Sequence, residues 1–377
     1  MATMTMNPEP HARPSFEPII KAAEAERKAR GVVHFDPNRH LSFATPPEVF
    51  SMEDLGLEGV GVSPVAVSQP FQLFSEEAVE QFRAEVLNPE VMTKCRFQSN
   101  LAACQLRGYS RKYAPFIYDA WNNSETLSII SKIAGVDLIP VVNFEIGHVN
   151  FSVKSEKEAA EEVSSITRAK RSFAEDEGIG GCPWEDDKPV VGWHTDSYPF
   201  VCVLMLSDCT NMVGGETALM TGRGDVIKVR GPQKGCAVIL QGRYITHQAL
   251  RALGAQERIT MVTSFRPRSP YLPDDSVLTT VRPVSDLNEL YTEFATYRLE
   301  MLEERIRKQL KILRDNQQAN KTLETTALKA FLSNQEEFIK RTNEELVEED
   351  KVAFGYMEEI KFSSEAATPP KRIKSDS

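Results

Sequence analysis

The chain has 377 residues, of which 41% are hydrophobic and 26% charged, with a formal net charge of -10, enough apolar sequence for one large core or a core with an appended helical unit. The acidic balance argues against broad, phosphate-driven nucleic-acid binding, which needs a basic face. No apolar run reaches the ~18 residues of a membrane span, and proline and charge interrupt the N-terminal stretch MATMTMNPEPHARPSFEP where a secretory signal needs continuous apolar residues. A cytoplasmic protein with no membrane association is expected.

Residues 1–68 are rich in proline and charge and read as an extended arm. A main domain over residues 69–275 opens with a helix signal: Ser75 as cap, Glu76 and Glu77 at the positive end of the dipole, and Val79, Phe82 and Val86 at helical spacing. A second helix is expected from Ser124 to Ala134, ended by Gly135. VDLIPVVNFEIGHVNFSV, Val136 to Val153, is β-branched and aromatic and predicts paired strands. Alternation along that strand puts Asn143 and Glu145 on one face and Phe144, Ile146 and His148 on the other, and one of the two sets is expected to line a substrate pocket.

The charged stretch 154–188 reads as a lid insertion with hinge glycines at 178, 180 and 181. From Val190 to Pro267, short apolar runs separated by Gly and Pro turns predict an antiparallel sandwich or barrel. Residues 276–352 carry two helical stripes, one with Phe294, Tyr297, Met301, Leu302, Ile306, Leu310 and Leu313, the other with Leu328, Phe331, Leu332, Phe338 and Ile339. They predict a C-terminal helical hairpin packed on the sheet, with a face for a homodimer. Residues 353–377 read as a mobile tail whose PPKRIK is a short basic signal that allows nuclear entry. The six cysteines, Cys95, Cys104, Cys182, Cys202, Cys209 and Cys236, contain no C-x-x-C pair, and most are expected to be reduced.

The chemistry concentrates in GWHTDSYPF. His194 and Asp196 form a His-x-Asp pair, and His247 follows Asp196 by fifty-one residues. Two imidazoles and one carboxylate on one face of a metal, leaving other positions open, are the ligand set of non-heme Fe(II) oxygenases, although zinc accepts the same donors. Arg258 and Thr260 favour oxygen chemistry. Arg258 lies eleven residues after His247 and shares one strand face with Thr260, and a guanidinium fork beside a hydroxyl suits a carboxylate such as that of 2-oxoglutarate. Arg223, Arg243 and Arg266 are rival anchors. Trp193 and Tyr198 flank the metal arm and are candidates for the pocket wall. His148 is a weaker candidate ligand, since a strand histidine is more often structural.

His194-Thr195-Asp196, His247, Arg258-x-Thr260 and the intervening Gly214-Gly215-Glu216-Thr217 together resemble the Fe(II)- and 2-oxoglutarate-dependent dioxygenases. The resemblance runs from about Pro140 to Pro267 and implies a double-stranded β-helix, or jelly roll, buttressed by helices. It implies His194, Asp196 and His247 as iron ligands, Arg258 and Thr260 as the 2-oxoglutarate site, and O₂ as co-substrate. Many members have serine where Thr260 stands, and either residue supplies the hydroxyl. The wording of the region looks like fungal members of small-molecule, or secondary, metabolism, which allows an amino acid or secondary metabolite as substrate. Hydroxylation, desaturation and oxidative cyclisation, including aziridine formation, remain open. The alternatives are an oxygenase acting on protein or nucleic acid, and a non-catalytic metal-binding jelly-roll sensor.

Overall fold

In chain order, strands β1 (Val49–Ser51), β2 (Val65–Ser68) and β3 (Phe71–Gln72) lead into helix α1 (Glu76–Val86), then β4 (Arg96–Phe97) and β5 (Gln105–Leu106). The computed structural model describes residues 20–21, 33–100, 102, 104–175, 189–210 and 212–357. Helices α2 (Pro115–Asn122) and α3 (Ser124–Ala134) follow, then β6 (Leu138–Pro140), β7 (His148–Val153) and helix α4 (Glu156–Glu175). The next strands are β8 (Pro189–His194), β9 (Phe200–Met205), β10 (Val213–Gly214), β11 (Thr217–Met220), β12 (Val226–Val229) and β13 (Cys236–Leu240). The series closes with β14 (His247–Leu250), β15 (Ala252–Leu253), β16 (Glu257–Pro267) and helices α5 (Leu287–Gln318) and α6 (Thr325–Glu345).

Local chemistry sets the helix ends. The Ser75 hydroxyl accepts from the Ala78 amide at the start of α1, and Asn123 accepts from Glu125 and Thr126 at the start of α3. Gly135 ends α3 at φ +69°, a left-handed conformation that glycine adopts without a Cβ clash.

Ten strands form one antiparallel sheet, ordered β1-β2-β13-β9-β16-β7-β5-β4, with β3 beside β13 and β6 beside β16. A four-stranded sheet runs β12-β11-β14-β8, and β10 pairs with β15. Strand β16, ERITMVTSFRP, organises the layers. Its Ile259, Met261 and Phe265 enter a core shared with the helices, where Phe82, Phe116 and Trp121 are fully buried, each burial worth roughly 1.5–3 kcal/mol. Val262, on the opposite face, packs with Val67, Val201 and Leu240 against Leu219 and Val229 of the four-stranded sheet. A third cluster joins α5 and α6 to Val141, Phe144 and Tyr198. The molecule therefore has large antiparallel sheets with flanking helices. Leu299, Ile306 and Leu310 of α5 and Leu332 and Ile339 of α6 remain exposed.

One sequence expectation needs correction, and two gain structural detail. The stretch Val136 to Val153 is not continuous strand: Asn143–Glu145 is a 3₁₀ turn, so Asn143 and Glu145 do not share a strand face. Gly147, at φ +73°, turns the chain out of that segment before β7 begins. The first part of the expected lid is helix α4, tied down by Lys154 and the Gly254 amide, both bonded to Glu162. Within the expected arm, Val49–Ser51 and Val65–Ser68 supply β1 and β2 to the main sheet. The hinge glycines at 178–181, Cys182 and PPKRIK lie outside the described residues.

Candidate metal centre

His194 ends β8 and His247 begins β14, and the two are direct cross-strand partners. A register irregularity lies just beyond this pair, a feature that re-aims side chains where sheets meet functional sites. The imidazole centroids are 4.3 Å apart. His194 Nδ1 lies 2.8 Å from the Gly192 carbonyl, and His247 Nδ1 lies 2.9 Å from that of Ile245. A carbonyl only accepts, so both Nδ1 atoms carry the proton and both Nε2 atoms present a lone pair.

Those lone pairs converge on a carboxylate. His194 Nε2 is 3.7 Å and His247 Nε2 3.6 Å from Asp196 Oδ1. Two donor atoms each ~2.1 Å from one ion stand at most about 4.2 Å apart, so both separations fit a shared metal, and one ligand atom from each of the three residues lies within 4.8 Å of the others. Burial, then the neighbouring His247, pushes the His194 imidazole down to about 4, with Asp196 opposing. A neutral ring is the form that ligates a metal.

Asp196 is positioned through its backbone. The Asp196 amide donates to the Gly242 carbonyl at 2.9 Å. A Cβ on Gly242 would stand 1.8 Å from Asp196 Oδ2, so glycine is required for close approach. Asp196 Oδ2 is itself buried and has no protein partner. Neither Gly242 nor Arg243, whose Nη1 donates to Thr195 Oγ1 at 3.2 Å, was singled out as part of the metal arm from sequence. The only signal was a glycine two residues after the apolar run of β13.

Arg258 and the buried Thr260 lie on the face of β16 turned toward the four-stranded sheet, with Val262 and opposite Ile259 and Met261. Arg258 Nε is buried without a partner, and burial lowers its proton affinity. The Gly214-Gly215 turn, with φ +82° and +80°, passes close by: a Cβ on Gly215 would lie 3.9 Å from Arg258 Nε. Arg223 instead packs by the Gly56 turn, where a Cβ would meet its Cγ at 3.8 Å.

The substrate candidates separate. Asn143 accepts from the Tyr118 hydroxyl at 3.0 Å. Glu145 is buried in an ion pair with Arg107 and accepts from the Tyr198 hydroxyl at 3.2 Å. Trp193 is partly exposed beside His194. His148 stands apart from the triad, bonded to Arg107 and facing Gln105.

No family model matches this sequence, and no curated protein does. Solved structures resemble it at low identity. A 2OG-Fe(II) oxygenase family oxidoreductase from Burkholderia pseudomallei is 13% identical with a TM-score of 0.28, covering 45% of this chain and 65% of its own. AviO1 from Streptomyces viridochromogenes Tue57 is 12% identical with a TM-score of 0.35, covering 55% and 93%. A Pseudomonas putida prolyl-4-hydroxylase is 16% identical with a TM-score of 0.30, covering 60% and 100%. Among the described residues no helix is long and apolar enough to cross a membrane.

Proposed function

We propose that this protein is a non-heme iron oxygenase that uses 2-oxoglutarate and O₂ to oxidise a small molecule, on a jelly-roll scaffold. The observation that carries the reading is the facial set His194, Asp196 and His247, with both imidazoles tied at Nδ1 and both Nε2 lone pairs turned to one carboxylate oxygen. Iron bound there supplies the oxidising chemistry. The protein's own groups do the rest. Gly192 and Ile245 fix the imidazole tautomers, Gly242 seats Asp196, and Arg258 with Thr260 grips the distal carboxylate of 2-oxoglutarate. The reaction outcome, whether hydroxylation, desaturation or ring closure, depends on how the substrate is held.

Anaerobic addition of Fe(II) and 2-oxoglutarate is expected to give the weak visible charge-transfer band of a metal-chelated keto acid, and His247→Ala to abolish it. Zinc chemistry predicts no such band, and its persistence in His247→Ala would refute the assignment.

A further inference from the structure

Arg266 lies on the same face of β16 as Arg258, Thr260 and Val262, since residues two apart on a strand share a face. The two arginines occupy opposite ends of that strand. Register places Ser264 opposite Val201 and Phe265 opposite Phe200, so Arg266 is level with the residues that lead from Asp196 into β9. Arg258 lies beyond the Thr260–Met205 pair, at the other end.

The guanidinium of Arg266 stacks on the Tyr297 ring, 4.8 Å from its centroid, and Nη1 donates to the Pro267 carbonyl at 3.3 Å. Among the described residues no carboxylate pairs with it. Its side chain is partly exposed, while Nε is buried without a partner. Tyr297 Oη and Ser276 Oγ, on residues each only 4% exposed, face each other beside it. The nearby carboxylate of Asp274 lies 3.5 Å from Arg298 and accepts from the Ser276 amide through Oδ1, while its Oδ2 is buried without a partner.

This group adjoins the metal arm. The Val277 amide donates to the Ser197 carbonyl at 2.8 Å, and Arg243 bridges the Asp275 carbonyl at 2.8 Å to Thr195 Oγ1 at 3.2 Å. Tyr297 shares its apolar cluster with Tyr198, two residues past Asp196. A partly buried guanidinium with no acid of its own, held flat by an aromatic face, suits a planar anion bound side-on.

We propose that Arg266, positioned by Tyr297, binds the carboxylate of the substrate, which makes the substrate a small carboxylic acid. The proposal rests on the oxygenase reading for the word substrate, but the site can be tested without oxidation. Isobutyrate and isobutyramide share a shape and differ in charge. Saturation-transfer NMR on the full chain, with Zn(II) and saturating 2-oxoglutarate so that the Arg258 site is filled, should detect isobutyrate and find isobutyramide at least ~10-fold weaker. Arg266→Gln should weaken isobutyrate by about 10-fold or more and Arg266→Lys by less, with 2-oxoglutarate affinity unchanged. Arg258→Gln should show the reverse pattern. Equal binding of acid and amide, no acid binding, or isobutyrate binding that survives Arg266→Gln would overturn the site. Should Arg266→Gln fail to fold, the acid–amide pair on the wild-type chain and the Lys variant still decide. A chain that lacks the keto acid band but still needs Arg266 for isobutyrate would sink the oxygenase reading and leave the carboxylate site standing.

Discussion

Two polar groups border the space between the sheets, and they are wired in opposite ways. Around Arg107 and Glu145, each 1% exposed, donors meet acceptors: Arg107 pairs with Glu145 and donates to His148 Nδ1 at 3.0 Å, and Tyr198 donates to Glu145. Arg107 only donates, so His148 carries its proton on Nε2. Around Asp196 acceptors face acceptors: two imidazoles protonated on Nδ1 turn bare Nε2 atoms toward a carboxylate. The first group matches its charges within the protein, although Arg107 Nε is left without a partner. The second calls for a cation, and the opposite histidine tautomers record the difference.

If the Arg107 group is structural, breaking it should cost the most. Arg107→Met leaves Glu145 buried and uncompensated, with an expected loss of about 3–5 kcal/mol of stability by denaturant unfolding, and adding Glu145→Leu should restore much of it. A small loss in the single variant would put Arg107 outside the core network. The metal corner should respond to Gly242→Ala instead, where the new methyl meets Asp196 Oδ2 at 1.8 Å. Expected is a ~10–100-fold loss of Fe(II) affinity by anaerobic titration; unchanged affinity would show that Asp196 does not depend on that close approach.

The smallest effect is a pH slope. Burial, followed by the Arg107 charge, holds His148 well below its ordinary value of 6.5. As pH falls below that value the unfolded chain takes up a proton that the folded chain refuses, so stability declines toward acid by at most ~1.4 kcal/mol per pH unit. His148→Gln should flatten that part of the curve. Glu85 works in the other direction. Burial raises it to about 7, so its contribution is present in acid and lost as pH rises through about 7, and Glu85→Gln should steepen the acid decline. An identical slope in His148→Gln and wild type would mean that His148 is charged in the fold.

The metal corner was legible because its residue types are rare together and strand-end spacing brings them to one place. The shared strand face of Arg258 and Thr260 was legible through alternation, a property of any strand. The Arg107 group was not. Arg107 follows a two-residue strand, and its partner Glu145 sits in a 3₁₀ turn whose apolar, β-branched surroundings resemble a strand. Helix α4 was overlooked although Ala159, Val163 and Ile166 recur at helical spacing in its sequence, because the density of charge suggested a loop. Tyr297 was assigned to a helical stripe, correctly as to its element, but nothing local announced the arginine stacked on its ring.

The direct pairing of His194 with His247 makes the centre a proofreader of its own sheet. A slip of one residue between β8 and β14 would swing one imidazole to the opposite face and erase the ligand set. An ion bound by all three side chains favours the correctly aligned sheet by its binding free energy. Chelation should therefore loosen the β8–β14 ladder first, seen as faster amide hydrogen exchange there, while the helix-backed core around Trp121 keeps its protection.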